Sequence, residues 1–127
     1  MNDTPSLPPA PADDAWQVIC LCADWCGTCR EWRAPLEALA RAHPQVRFAW
    51  VDIEDQADAV ADYDVETFPT LLIAKGATPR FLGPVLPHAG NIERLLASLR
   101  ENGAATAVSE EARALLQRLQ SAQLEPI

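Results

Sequence analysis

From Trp16 onward, short apolar runs alternate with stretches that carry one apolar face, and this pattern predicts a series of strands and helices. Trp16-Gln17-Val18-Ile19-Cys20-Leu21-Cys22 is brief, apolar and partly β-branched, as a strand buried on both faces requires. From about Cys26 to Ala42 the period changes, and Trp32, Leu36, Leu39 and Ala40 fall on one side of a helix. Pro35 should kink that helix, because proline lacks the N–H of an internal helix bond. Val46–Ile53 reads as a second buried strand, and Asp55–Tyr63 as a short acidic helix. Thr70–Ala74 and Arg80–Leu82 read as strands, and the turn residues 75–79 between them predict a hairpin. Asn91 can cap a helix with Ile92, Leu95, Leu96 and Leu99 on its apolar face, and Asn102-Gly103 can end it. One more helix, Ser109 to about Ala122, carries the stripe Ala112, Leu115, Leu116 and Leu119. Its Glu110 and Glu111 sit in the first turn, where the helix dipole favours them.

The order β-α-β-α-β-β-α begins parallel and ends antiparallel, which predicts an α/β fold with a central mixed β-sheet flanked by helices. Three segments follow: a flexible Pro-rich arm at 1–14, a domain at 15–102, and a linker with an additional C-terminal amphipathic helix at 103–127. That helix is expected to pack on its own domain. The other reading is that its leucine stripe, at 109–122, binds a partner or a second copy.

Composition narrows the function. The 127 residues suit one domain. Eighteen acidic residues against ten basic ones, a net charge of −8, argue against binding a phosphate backbone. No apolar run approaches the ~20 residues of a membrane span. The first residues lack the basic start and apolar core of a secretory signal. A soluble, cytoplasmic, monomeric protein is expected, in surroundings that keep thiols reduced. Its four cysteines, at 20, 22, 26 and 29, therefore read as chemistry. The seven acidic residues between Asp52 and Glu66 lack the spacing and central glycine of a calcium loop and read as a solvated acidic face. His43 and His88 read as surface residues.

Trp25-Cys26-Gly27-Thr28-Cys29 lies where the first strand meets the first long helix. A Cys-X-X-Cys there lets two thiols meet as a disulfide with little strain. It also sets the first sulfur beside unpaired helix N–H groups, which stabilise a thiolate. Cys26 is the expected nucleophile. Cys29, one turn inside, is the expected resolving thiol that releases the product from a mixed disulfide. Gly27 keeps the turn open to an approaching chain. Pro69, at the start of the third strand, cannot donate to a ladder, and its special use there would be a cis bond.

With these residues in order the sequence resembles the thioredoxin family. The matching elements are residues 23–29, the strand Trp50-Val51-Asp52-Ile53, the segment Tyr63 to Thr70 and Gly83 after the hairpin, over roughly residues 15–101. The resemblance implies a thioredoxin fold and a protein-disulfide oxidoreductase active in redox homeostasis and electron transport. Disulfide-containing protein substrates would dock in extended form along Trp25, Gly27, Thr28, Thr67, Phe68, Pro69 and Gly83. It also implies a cis-Pro69 that keeps metals off the thiols, no bound cofactor, no metal, and an electron donor of the thioredoxin-reductase type.

The sequence departs from the family at three places. Cys20 stands where the family has a buried Asp, and Trp50 where it has the partner Lys, so this space is expected to be repacked apolar. The change bears on how fast Cys29 loses its proton. Thr28 replaces a proline between the cysteines, and Pro35 lies one residue later than usual. Cys20 and Cys22, two apart on a strand, share a face. They read as small buried packing residues, Cys20 alternatively as a third redox thiol able to trap Cys29. A four-cysteine zinc or copper site is the remaining reading, although a CxC held in a strand is a poor mould for it. Trp16, Trp32 and Trp50 read as core, and Trp25 as a substrate contact at the rim. The alternative function is a slow or non-catalytic thioredoxin-like binding module with a redox-sensitive CxxC.

Overall fold

Strand β1 (Trp16–Cys22) is apolar except for Gln17 because it lies at the centre of the sheet. It pairs in parallel with β2 (Arg47–Asp52) and antiparallel with β3 (Thr70–Lys75). The computed structural model describes residues 15–23, 25–61, 63, 65, 67–101, 109–122 and 124–127. The 1–14 arm, Asp24, Asp64, Glu66, the helix end at Asn102-Gly103 and the following linker lie outside the described residues. β3 pairs antiparallel with β4 (Thr78–Pro84), and a two-residue strand β5 (Glu125–Pro126) lies along β2. The sheet order is β4-β3-β1-β2-β5.

Alternation along β1 divides the core in two. Val18, Cys20 and Cys22 face a layer built by α1 (Gly27–Ala42) and α3 (Ala89–Glu101), with Trp32, Leu36, Ile92 and Leu96 buried in it. Ile19 and Leu21 face the other layer, built by α2 (Ala57–Val60) and α4 (Glu110–Ser121). The expected mixed sheet between helices is therefore present, with the C-terminal helix as half of one layer.

Several boundaries differ from the sequence reading, each for a local reason. α1 starts at Gly27, one residue later than expected, because Cys26 keeps the extended backbone of an N-cap, and the helix contains Pro35 on its exposed side. α2 is a single turn. Asp52 accepts the N–H groups of Glu54 at 2.8 Å and Asp55 at 3.2 Å, closing a turn where the longer helix was expected to begin. Ala61, at φ 52°, ends it. The hairpin turn is tighter than expected: Lys75 pairs with Thr78, leaving Gly76 and Ala77 as the loop. Gly76 supplies the φ of 60° that a side chain would resist. α3 starts at Ala89, so Asn91 is inside its first turn, where its side-chain oxygen accepts from Arg94 instead of capping the backbone.

α4 begins as expected: Ser109 Oγ accepts the Ala112 N–H at 3.1 Å. Ala112, Leu115, Leu116 and Leu119 are fully buried against the sheet. The stripe that the sequence offers to a partner is consumed within the domain. Arg118 fastens α4 to the end of α2, donating to the carbonyls of Ala59 at 2.7 Å and Val60 at 3.1 Å. Gln120 reaches the Gly76 carbonyl, which also accepts from the buried Gln17. Beyond the helix, the Ile127 N–H bonds the Phe48 carbonyl at 3.1 Å and extends the pairing of β5 with β2. No described helix is long and apolar enough to cross a membrane.

Candidate active site

The end of β1 and the start of β3 are neighbours, since Leu21 pairs with Thr70. This register sets the cysteine motif beside the Thr67-Phe68-Pro69 loop. The chain turns after β1 with the Cys26 N–H bonded to the Ala23 carbonyl at 3.0 Å. Cys26 is the N-cap of α1, with extended backbone at φ −87° and ψ 121°. Its thiol makes no capping hydrogen bond and is partly accessible. Gly27 and Thr28 are exposed in the first turn, whereas Cys29 is wholly buried.

Trp25 is 60 % exposed and held from two sides. Its indole N–H donates to Glu54 at 2.9 Å, and its ring meets Phe68 edge-on with centroids 5.5 Å apart. Thr67 is exposed, and its carbonyl accepts from the Thr70 hydroxyl at 2.6 Å. The Phe68–Pro69 bond is cis, and the Pro69 carbonyl accepts the Val85 N–H at 3.1 Å. Gly83, paired with Leu71, is buried at the same end of the sheet. A Cβ on Gly83 would meet Phe81 at 3.5 Å, an ordinary contact, so packing alone does not require glycine there.

Behind the motif the cysteines are arranged differently from the sequence reading. Cys29 is disulfide-bonded to Cys22, with Cα atoms 5.8 Å apart, and Cys26 and Cys20 are free. The Cα separation is ordinary for a disulfide (~4.4–6.8 Å). Where the sequence names Cys20 as the third thiol that could trap Cys29, the structure gives that place to Cys22. The reason is depth: Cys22 ends β1 against the first turn of α1, and Cys20 lies two residues further into the sheet. Alternation places both on the α1 face, but which one meets Cys29 depends on how the helix crosses the strand, which no local signal encodes.

Cys20 donates toward the Cys22 sulfur at 4.0 Å. Burial pushes the Cys20 thiol from 9.0 up to about 12, against weaker opposing effects of the Trp32 indole and the Arg33 charge. The Trp32 N–H has no hydrogen bond of ordinary geometry, so its influence on the sulfur is slight. Cys20 is opposite Trp50 in the β1–β2 register, and both are buried. The position of an expected Asp–Lys pair is thus an apolar contact. The Arg33 guanidinium covers the Trp50 ring at 4.7 Å.

Trp32 and Trp50 are core residues, but Trp16 is only partly buried, with Arg80 stacked over its ring at 5.3 Å. His88 is exposed, and half-buried His43 lies 3.4 Å from Glu93. Glu54 is the rim residue that sequence reasoning missed. It is one of seven clustered carboxylates, and only the fold selects it.

A mixed sheet with a Cys-X-X-Cys at a strand-to-helix junction, beside a cis-proline loop, defines a class: α/β proteins with a dithiol motif at one end of the sheet. The thioredoxin family model matches residues 12–84, and the chain belongs to that family. It is 40% identical over 58 residues to the Thioredoxin H-type of Fagopyrum esculentum, covering 46% of this chain and 50% of the relative. It is 34% identical over 58 residues to the mitochondrial Thioredoxin-3 of Saccharomyces cerevisiae, covering 46% of each. The chain thus spans about half the length of the curated relatives it matches. Among solved structures, the Fasciola hepatica thioredoxin superposes with a TM-score of 0.62 at 28% identity, over 68% of this chain and 82% of that one.

Proposed function

We propose that the chain is a thiol–disulfide oxidoreductase that reduces disulfides in other proteins through Cys26 and Cys29. The observation that carries this reading is the placement of Cys26. It is an accessible thiol at the N-terminus of a 16-residue helix, uncommitted to capping, with Cys29 buried one turn behind it. Cys26 attacks a substrate disulfide, one substrate sulfur leaves as a thiol, and a mixed disulfide remains. Cys29 then attacks the Cys26 sulfur and releases the second substrate thiol. Two electrons pass to the substrate and the chain is left oxidised.

Trp25, Gly27, Thr28, Thr67, Phe68, Pro69 and Gly83 form the proposed docking groove. The contact between Trp25 and Phe68 supports this reading, because it gathers both halves of the groove at the nucleophile. No cofactor is invoked; re-reduction is assigned to a donor of the thioredoxin-reductase type. A monomer in a reducing compartment such as the cytoplasm fits this chemistry.

The test is insulin reduction with a thioredoxin reductase and NADPH, on the wild type and on Cys26→Ser. Turnover that vanishes with Cys26→Ser is expected; absence of turnover in the wild type sinks the proposal. One observation favours a second reading, a slow or non-catalytic binding module. With Cys29 held by Cys22, Cys26 has no resolving partner, and a mixed disulfide at Cys26 would persist.

A further inference from the structure

We propose that Cys22 is a third redox-active residue of this site, taking Cys29 over from Cys26 by internal disulfide exchange. The proposal rests on the Cys26/Cys29 chemistry above and adds a step after it. When one substrate has been reduced, the chain holds a Cys26–Cys29 disulfide. The Cys22 thiolate attacks the Cys29 sulfur, a Cys22–Cys29 bond forms, and the Cys26–Cys29 bond breaks. Cys26 leaves as a thiolate and takes up the proton that Cys22 gave up. One disulfide replaces another, so no electrons enter or leave.

Four features favour the exchange. Cys22 and Cys29 are already paired in the structure, with backbones at an ordinary disulfide separation. The departing Cys26 sulfur lies at the partly accessible mouth of the site, where it can take up a proton from solvent. The product bond is wholly buried, whereas Cys26 is partly accessible, so the exchange moves the disulfide away from external reductants. The Cys20 thiol, 4.0 Å from the Cys22 sulfur, stays protonated and can donate to the Cys22 thiolate as it forms. Cys20 is thereby a positioning residue. The outcome is a chain with its oxidising equivalent stored inside and its nucleophile free again. In that state Cys26 can enter a second mixed disulfide that Cys29 cannot resolve.

The test is read on the isolated full-length protein, so it does not depend on insulin turnover. Reduced protein is oxidised with one equivalent of diamide and quenched in acid at intervals. Free thiols are then labelled with N-ethylmaleimide under denaturing conditions and linkages mapped by peptide mass spectrometry. The wild type is expected to reach a Cys22–Cys29 linkage with Cys26 labelled, at a rate independent of protein concentration. In Cys22→Ala the bond should stay at Cys26–Cys29, with labelling of Cys26 at least tenfold lower. A wild type that ends as Cys26–Cys29 with Cys22 labelled overturns the proposal. Should Cys22→Ala fail to fold, Cys26→Ser supplies the second arm: oxidised, it must still form Cys22–Cys29, and a failure to do so also overturns the exchange. Insulin turnover without a Cys22 linkage refutes the exchange alone. A Cys22 linkage without turnover refutes only the reductase reading.

Discussion

Replacing Leu116 by alanine tests whether α4 belongs to the domain or merely decorates it. The helix lies beyond the residues that match the family, yet Leu116 is fully buried against the second face of the sheet. Truncating a buried leucine removes its transfer free energy and leaves a cavity, together costing about 2–5 kcal/mol. A value near 3 kcal/mol is a large fraction of the roughly 5–15 kcal/mol that holds a domain together. With a urea slope of about 2 kcal/mol per molar, the unfolding midpoint should fall by roughly 1.5 M. Leu86→Ala is the control, since Leu86 is 68 % exposed and its truncation should stay within about 0.5 kcal/mol. Urea titrations followed by tryptophan fluorescence, with both proteins oxidised, give the comparison. If Leu116→Ala shifts the midpoint no more than Leu86→Ala does, α4 is not seated as described.

Other substitutions separate fold from chemistry. Arg118→Met removes two bonds to the Ala59 and Val60 carbonyls and should cost about 1–3 kcal/mol in the same titration while leaving thiol reactivity intact. Trp25→Ala should raise KM for insulin about 5- to 30-fold, the effect of losing one aromatic contact of about 1–2 kcal/mol, with little change in the urea midpoint. Cys20 predicts alkaline sensitivity. Below pH 9 its thiol is protonated in both folded and unfolded chains; above it, the unfolded chain ionises while burial holds the folded thiol neutral. Stability is then lost as pH rises from 9.0 toward about 12, by at most about 4 kcal/mol at about 1.36 kcal/mol per pH unit. Cys20→Ala should flatten that decline, and an unchanged slope would count against the buried neutral thiol.

Elements with a strong period were legible in the sequence. The apolar run of β1, the one-sided pattern of α1 and the leucine stripe of α4 are legible nearly to the residue, because local chemistry specifies each. Boundaries set by competition were not. Asp52 takes the N–H groups at 54 and 55 for its own side chain and shortens α2, and β5 is two residues whose pairing depends wholly on β2. At the candidate site, the placement of Cys26 at the helix start, of Cys29 one turn inside and of a cis bond at Pro69 is legible from motif and spacing. The choice of Cys22 over Cys20 was not, because it is set by the crossing of a helix over a strand. Glu54 acquires meaning only when Trp25 arrives beside it.

The Gly76 carbonyl ties residues far apart in the chain, accepting from Gln17 near its start and from Gln120 near its end. The α1–α3 face draws its helices from residues up to 101, whereas the opposite face also needs Leu115, Leu116 and Leu119. A chain that loses α4 uncovers Ile19, Leu21 and Leu72 where the helix leucines lay, and that apolar surface is then open to chaperones or to other copies of itself.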